Sequence, residues 1–422
     1  MKVKALLFSL VAGLLLASSA LAQTEIRFMW YDDGPQSETL IPLIDVFNEA
    51  NDDINVIVDV VPYATIRDNL QVLLESGEGP DLAKVTNLGG LSEYYLDLTP
   101  HVDAEYFQTN FGPYLEWLDP NGTGAINGAH FELTVTGPYI NRTYFEQAGV
   151  EVPGEGATWD DWAAASRKVA EAISGDGLEV WPMAMDRSGH RVAGPAISQG
   201  AAYFDADGNP AIADDGFKDM MQKMITWHED GTMYPDVWVG VGGDTYASGA
   251  DAFINGELAF LMSGSWQLGN FNNSIGDDFD WLAIPNPCGP GGCSGMPGGA
   301  AVVGFADTEH PEEVARLIDY LASEEVYREY TANVFSIPAH IGIANAGVDY
   351  NTDSENLNAS LGGFVANVPE LSPVAFALQG YGKNGAIFGA TAERLGQALT
   401  GELSLDEAID RMVADIEEEI NQ

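Results

Sequence analysis

The chain has 422 residues, and its 64 acidic side chains against 17 basic ones give a formal net charge of −47 at pH 7. So acidic a protein is a poor partner for nucleic acid. The acidic excess is spread along the chain, and a hydrophobic content of 46% argues against disorder. The length exceeds what one core usually supports, because domains cluster near ~100 to 150 residues, so we expect two domains.

The first 22 residues have the pattern of a secretory signal peptide. Lys2 and Lys4 precede an apolar run over 5–16, and the small-residue site Ala20-Leu21-Ala22 follows. Cleavage after Ala22 would leave 15 basic residues and a net charge of −49. No later segment reaches the ~18 uncharged apolar residues of a membrane helix. We therefore expect an exported protein that diffuses in the periplasm.

The mature chain opens with alternating strands and helices. The predicted order is a strand at Ile26–Trp30, a helix through Leu40–Phe47, a strand at Ile54–Val61, a helix through Ile66–Leu73 that Gly77 stops, and a strand at Asp81–Thr86. This order predicts an α/β fold with a mainly parallel sheet and helices on both faces. Ligands of such sheets bind beyond the carboxyl ends of the strands.

Further along, capping patterns and periodicity predict the later elements. They are a helix over Trp159–Ile173 with Thr158 and Asp161 as a capping pair, a helix over Phe217–His228, a strand at Leu258–Met262 after Gly256, a strand in PGGAAVVGF, a helix through Val314–Leu321, and a final helix with Ser404 and Glu407 as a capping box. We find no fixed repeat and no low-complexity tract.

The two cysteines, Cys288 and Cys293, flank the short segment Gly-Pro-Gly-Gly. In an exported chain such a pair indicates a local disulfide. A metal site would require more ligands, and no histidine lies near them in the sequence.

Seven motifs occur in an order that resembles the family 1 extracellular solute-binding proteins of ABC importers, the group that contains maltose-binding proteins. They are the opening strand into WYDDG, GEGPDLAKV, GPYINRTYFEQAGVEVPGEGATWDDW, FINGELAFLMSGSW, the glycine pair before AAVVGF, HPEEVARLIDYLASEE and SLDEAIDRMVADIEEEI. The family pattern has a tyrosine where this chain has Ile140, so any family contact at this position is in doubt. The resemblance implies a two-lobed periplasmic-binding-protein fold (type II) with a ligand cleft between the lobes.

The resemblance also implies where the chain crosses between lobes. Crossovers are expected around 132–138, around 299–303 and near 337–339. Lobe one would then combine 23–135 with 301–338, and lobe two would combine 136–300 with 339–422.

A sugar ring has an apolar C–H face and polar edges, so its site needs an aromatic surface and short hydrogen-bonding groups. SGSW provides both at a strand end: Trp266 would stack on the ring, and Ser265 would bond a hydroxyl or make the turn. The alternative for Trp266 is a core position. After the first strand, Tyr31, Asp32 and Asp33 suit a pair of vicinal hydroxyls, because a carboxylate accepts two hydrogen bonds; the alternative is an Asp-Asp-Gly turn.

The remaining candidates for ligand binding lie on other strand ends and on glycine-rich loops. Each has a structural alternative, such as solvation for a lysine, an ion pair for an arginine, or flexibility for the glycine pair. These candidates are Lys84, Asn87, Trp181, Arg187, Gly298, Gly299, Tyr381 and Lys383.

The resemblance thus implies a binding protein that captures a sugar, oligosaccharide or related glycoside and delivers it to the permease of an ABC importer. We expect a monomer that needs no cofactor or metal and performs no catalysis. Two alternatives remain. One is a binder of an anionic polyol or glycoside, such as a phosphorylated or sulfonated glycerol derivative, suggested by the basic cluster from Arg187 to Arg191 together with Lys84 and Lys383. The other is a secreted glycoside hydrolase, which would need two suitably spaced carboxyl groups.

Overall fold

The computed structural model describes residues 23–34, 36–175, 177–240 and 245–421. The predicted signal peptide lies outside these residues. The strands are β1 Thr24–Trp30, β2 Ile54–Val60, β3 Leu82–Val85, β4 Gly128–Asn141, β5 Trp181–Met185, β6 Leu258–Gly264, β7 Trp281–Ala283 and β8 Pro297–Gly304. The helices are α1 Gln36–Ala50, α2 Tyr63–Ser76, α3 Ala104–Leu118, α4 Arg142–Ala148, α5 Trp159–Ile173, α6 Gly189–Ser198, α7 Asp215–Glu229, α8 Gly249–Ile254, α9 Leu268–Ile275, α10 Pro311–Ala322, α11 Glu324–Val334, α12 Ile341–Ala346, α13 Glu355–Asn367, α14 Pro373–Gly380, α15 Asn384–Leu399 and α16 Leu405–Ile420.

The strands form one mixed sheet in the order β2-β1-β3-β8-β4-β6-β5, and β7 also pairs with β4. We call β2, β1, β3, β8 and the first part of β4 the β1 half, and the last part of β4 with β6, β5 and β7 the β6 half. Strands β1, β2 and β3 are parallel to one another, as are β5 and β6. Their connections run through helices, as the βαβ pattern of the sequence predicts.

Strand β4 joins the two halves. It pairs with β8 as far as Val135, which lies opposite Pro297, and with β6 from Thr136, which lies opposite Gly264. Leu133 pairs with Gly299 of β8 and also forms a bridge to Ile337. All three segments expected to contain crossovers therefore lie side by side at Leu133.

Local signals in the sequence explain where several helices begin and end. Thr158 with Asp161, and Ser404 with Glu407, form reciprocal capping boxes at the starts of α5 and α16, as predicted. Gly77 ends α2 with φ of +71°, a left-handed conformation that glycine adopts without a steric penalty.

The buried apolar side chains form two clusters. One packs the β1 half against helices α1, α3, α10 and α11, with Phe28, Phe111 and Tyr327 fully buried. The other fills the β6 half around Phe260 and Trp162 and extends to the ends of β1 and β3. Two cores are what the length of the chain predicts.

Cys288 and Cys293 form the predicted disulfide, with their Cα atoms 4.0 Å apart. The loop that they close is attached to neighbouring elements: the Cys288 N–H donates to Ala157 O at 2.8 Å and the Gly291 N–H donates to Ser198 O at 2.7 Å.

No single helix among the described residues is both long enough and apolar enough to cross a membrane, although the segments Glu355–Glu370 and Pro373–Gly380, which meet at 91°, meet the length and composition test as a pair.

Candidate functional site

The carboxyl ends of the parallel strands in both halves meet at one edge of the sheet, around the middle of β4. Tyr31 follows β1, Thr86 follows β3, Asp186 follows β5, and Ser265 follows β6. The amino end of β8 lies at the same edge, because β8 runs antiparallel to β3. This edge is where an open α/β sheet binds ligands.

A narrow gap lies between the halves at this edge. Its lining residues are Gln36, Glu132, Leu133, Thr134, Ser265, Trp266, Val334, Phe335 and Ser336, and its volume is about 20 Å³. That volume holds about one water molecule, whereas ligand pockets usually measure about 300 to 1,000 Å³. The two halves must therefore separate before a sugar ring can enter.

Trp266 lies at this gap, on a short 3₁₀ turn at Ser265–Gln267 that follows β6. Its side chain is only partly buried. The backbone of Gly264 lies directly against the ring, since a Cβ added to Gly264 would lie 2.0 Å from a ring carbon of Trp266. Glycine is thus required at this position for the indole to fold back over the strand end.

Arg191 is the residue that covers Trp266, and it was not among the predicted ligand-binding residues. It lies on the first turn of α6, and its guanidinium carbon is 4.1 Å from the centroid of the Trp266 ring. Its Nη1 donates to His190 Nδ1 at 3.5 Å, while His190 Nε2 donates to Pro297 O at 3.1 Å. The arginine-rich segment after β5 is the sequence signal that points to Arg191.

The polar residues after β1 have different environments. Asp32 accepts hydrogen bonds from the Ser37 N–H at 2.8 Å and Trp30 Nε1 at 3.0 Å, so it caps the start of α1, as in the turn alternative. Asp33 lies next to it and is partly buried, and burial raises the pKa of its carboxyl group. Tyr31 is 1% exposed and packs against Tyr63. Asp33 therefore has the freer carboxylate of the two.

Asp186, which follows β5, is a second partly buried carboxyl group at this edge. Ser263 Oγ donates to it at 2.5 Å, and burial raises its pKa. Arg191 opposes the shift in the pKa of both Asp33 and Asp186, which places its charge near carboxyl groups from both halves.

Lys84 does not face the gap. Its side chain is 0% exposed, and its Nζ lies 2.9 Å from Glu132 and 4.3 Å from the centroid of the Tyr31 ring. The Tyr330 hydroxyl also donates to Glu132. This corrects the expectation that Lys84 contacts a ligand, because its charge is neutralised within the β1 half.

Ser265, Gly298 and Gly299 have structural partners. Ser265 Oγ accepts a hydrogen bond from the Val135 N–H at 3.1 Å, so the hydroxyl holds the strand junction. Gly299 has φ of +125°, and a Cβ added there would lie 1.8 Å from Glu132 O. The carbonyl of Gly298 accepts from His130 Nε2 at 3.3 Å. Ser265 thus connects β6 to β4, and glycine at position 299 allows β8 to approach β4 closely.

Trp181 and Lys383 lie away from the gap. Trp181 begins β5 opposite Leu258, about 13 Å from the carboxyl end of the strand at ~3.3 Å per residue, and packs on Tyr234. Lys383 Nζ donates to Ile420 O at 2.7 Å and so satisfies the end of α16. The expectation that these two side chains contact a ligand is corrected accordingly.

Asn87 and Tyr381 lie on two loops that face each other at the rim. A Cβ added to Gly89 would lie 2.9 Å from the Cα of Gly382, so the loops touch. Asn87 is exposed, and Tyr381 is partly exposed and packs edge-on against Phe204. These residues are within the rim of the cleft rather than at its centre.

Arg187 follows β5 directly, at the binding edge. Its guanidinium carbon lies 4.1 Å from the centroid of the Tyr246 ring. Its Nε atom is inaccessible to solvent and has no hydrogen-bond partner among the residues that the structure describes.

A larger cavity, of about 220 Å³, lies elsewhere, next to the amino end of β1 and the residues before β3. It is lined by Glu25, Arg27, Asp81 and residues near His310. Since it lies at the amino ends of the strands, it is not part of the site. In the described ranges no group of three or more histidine, cysteine or carboxyl side chains is arranged to hold a metal ion.

Comparison with known proteins agrees with this architecture. Residues 32–328 match the family described as bacterial extracellular solute-binding protein. No curated protein sequence matches the chain significantly.

Several solved structures share the fold. The GacH receptor of Streptomyces glaucescens, solved unliganded and with acarbose, is 16% identical with a TM-score of 0.74, over 92% of this chain and 96% of that one. MalE of Bdellovibrio bacteriovorus, bound to maltotriose, is 17% identical with a TM-score of 0.76, over 94% and 100%. A solute-binding protein of Thermotoga lettingae, bound to α-D-tagatose, is 16% identical with a TM-score of 0.76, over 93% and 99%. The predicted two-lobed fold is thereby confirmed.

Proposed function

Because the chain belongs to the bacterial extracellular solute-binding proteins, we propose that it captures a sugar or oligosaccharide between its lobes and delivers it to the permease of an ABC importer. The observation that carries the proposal is the placement of Trp266, partly exposed at the gap between the two halves of the sheet. An indole at this position offers the C–H face of a sugar a surface from which water is excluded. The ligands named for three proteins of the same fold are carbohydrates or carbohydrate analogues.

The polar groups around Trp266 suit the hydroxyls of a sugar. Asp33 and Asp186 lie in the two halves, and each has a carboxylate that can accept hydroxyl hydrogens as the lobes close. Asn87 and Tyr381 on the rim would contact further units of an oligosaccharide.

We assign 23–135 and 301–338 to lobe one, and 136–300 and 339–422 to lobe two. Two features support this division. Strand β4 changes partner between Val135 and Thr136. Leu133 pairs with both of the other crossover segments.

The proposed site of action is the periplasm, after removal of residues 1–22, and the proposed working form is a monomer that performs no catalysis. The members of the matched family are exported solute-binding proteins. A glycosidase would cleave an oligosaccharide during incubation with the pure protein, and we expect the oligosaccharide to remain intact.

A thermal-shift screen over neutral and acidic mono-, di- and trisaccharides tests the function. A ligand that binds only the folded state adds about 2.7 kcal/mol to the free energy of unfolding at a hundred times its Kd. We expect at least one carbohydrate to raise the melting temperature. If none does, while amino acids or peptides do, the chain captures a different class of solute.

A further inference from the structure

Arg187 and Arg191 at the binding edge are partly buried and, like the exposed Arg411, have no carboxylate partner among the described residues. Seven other arginines have a carboxylate within the 4.0 Å that defines an ion pair. Among the described residues, neither Arg187 nor Arg191 has such a partner, and the Nε of each is buried without a hydrogen-bond partner. Carboxylates are abundant in a chain with 64 acidic residues, so two partly buried arginines that contact none of the described ones are candidates for binding an acceptor on a ligand.

Aromatic rings hold both guanidinium groups in place instead. Arg187 lies over Tyr246 and Arg191 over Trp266, each with its guanidinium carbon 4.1 Å from the ring centroid. Such stacking fixes the plane of the guanidinium, whose paired N–H donors match the oxygens of a carboxylate or a phosphate. Arg191 Nη1 also donates to His190 Nδ1.

The contact between Arg191 and Trp266 links these donors to the proposed sugar platform. The Gly264 backbone and the guanidinium both lie against the indole, so a sugar that stacks on Trp266 competes with Arg191 for the ring. Once displaced, the guanidinium remains beside the sugar. The positive charge of Arg191 opposes the rise in the pKa of Asp33 and Asp186. Neither carboxylate lies within ion-pair distance of the Arg191 guanidinium in the described part of the chain.

We propose that Arg187 and Arg191 form a subsite for an anionic group on the ligand, a carboxylate or a phosphate ester, next to the sugar ring on Trp266. The ligand class is then an acidic glycoside rather than a neutral one. This inference rests on the proposed function and makes its ligand more specific.

Calorimetry on the mature protein with matched neutral, uronate and phosphorylated mono- and disaccharides tests the inference. We expect an acidic form to bind at least about tenfold more tightly than its neutral counterpart. Comparison of the uronates with the phosphorylated sugars then shows whether the preferred anionic group is a carboxylate or a phosphate. Arg187→Gln and Arg191→Gln should each weaken binding of the acidic form about ten- to a hundredfold, the effect of one charge-assisted hydrogen bond. They should reduce the preference for the acidic form by the same factor.

Arg411→Gln is the matched control, because it removes the same charge from an exposed position on α16. It should leave the affinity unchanged, and the melting temperature of each ligand-free variant shows whether it is folded. The inference would be overturned if neutral sugars bound more tightly than acidic ones. It would also be overturned if both variants lost the same affinity for neutral and acidic forms. Either result would leave the proposed function standing. If no carbohydrate of either class binds, the proposed function itself is wrong, and the inference with it.

Discussion

Trp266 has surroundings unlike those of most other tryptophans in the protein. Trp30, Trp159 and Trp162, for example, are at most 2% exposed and lie in the two cores. Trp266 is partly exposed at the gap, and the groups against its ring are a guanidinium and a glycine backbone. A ligand can therefore reach its ring when Arg191 moves aside, and loss of the ring removes little core packing.

We expect Trp266→Ala to raise the Kd for a bound sugar about thirtyfold, or ~2 kcal/mol, the scale of a binding hot spot. The variant should keep most of its stability. Calorimetry and thermal unfolding on the same sample measure both quantities.

Trp162→Ala is the control, because Trp162 lies in the core against Phe260. It should cost about 3 to 5 kcal/mol of stability and leave the Kd of the folded protein unchanged. Unchanged affinity together with a large loss of stability in Trp266→Ala would place Trp266 in the core.

The sequence identified polar strand ends but not their partners. Lys84 and Asp32 both follow a predicted strand pattern that suits a ligand site, yet Lys84 is paired with Glu132 and Asp32 caps α1. Glu132 lies 48 residues from Lys84 in the chain, and periodicity contains no information about such a pairing. For the same reason the sequence could not show that Arg191 reaches Trp266 while Arg187 stacks on Tyr246.

The buried pair of Lys84 and Glu132 gives a second prediction. Lys84→Met should destabilise the protein by about 3 to 5 kcal/mol, because it leaves a buried carboxylate without its cation. Adding Glu132→Gln should recover much of this loss. Chemical denaturation measures both. If Lys84 instead contacted the ligand, the single variant would lose affinity with little change in stability.

At the scale of elements, local signals predicted the helices with capping boxes and the short buried strands, whose bounds the structure reproduces within a few residues. They did not predict β4 as one strand of 14 residues. Its sequence includes Gly137 and Pro138, which usually interrupt strands. Its continuity comes from pairing with β8, β6 and β7, which are more than a hundred residues away in the chain.

The loop between Cys288 and Cys293 gives a prediction at this scale. We expect Cys288→Ser with Cys293→Ser to lower the free energy of unfolding by only ~2 kcal/mol, since the closed loop is short and chain entropy favours long loops. Ligand affinity should be nearly unchanged, because the loop contacts α5 and α6 rather than Trp266. Mass spectrometry under non-reducing conditions checks the pairing in the wild type; two free thiols would contradict it.

For the whole molecule, buried His130 and partly buried His190 at the lobe junction couple stability to pH. His130 and His190 donate to the successive carbonyls of Gly298 and Pro297. Burial lowers the pKa of His130 to about 4 and that of His190 to about 3. The unfolded chain, with histidine pKa values near ~6.5, binds more protons than the folded chain below that pH.

Stability should therefore fall as the pH drops from about 6.5 to 4, with each histidine contributing up to ~1.4 kcal/mol per pH unit. In His190→Gln the glutamine keeps a hydrogen-bond donor that does not titrate. The change in the free energy of unfolding per pH unit should therefore be smaller by the contribution of one histidine. Asp33 and Asp186, whose raised pKa values act in the opposite direction, are common to both proteins. Denaturation at several pH values measures the slope; exposed His101→Gln is the control. Equal slopes in all three proteins would contradict the prediction.

The last prediction concerns the movement of the lobes. The gap beside Trp266 has room for about one water molecule, and lobe contacts at Gly89 with Gly382 and at Trp117 with Phe376 close the rim. A sugar can reach Trp266 only if these contacts open, so we expect hinge motion about the crossovers. Small-angle scattering should show a smaller radius of gyration with saturating ligand than without it.

A disulfide across the rim tests whether opening is required. Gly89→Cys with Gly382→Cys places two thiols on loops that already touch, and neither glycine has the positive φ that would strain a cysteine. After oxidation, we expect the double variant to lose ligand binding and to have the same radius of gyration with and without ligand. Each single variant should bind as the wild type does. The engineered disulfide lies at the rim and leaves Trp266, Asp33 and Asp186 in place. Wild-type affinity in the oxidised double variant would therefore mean that a sugar reaches the site without separation of the lobes.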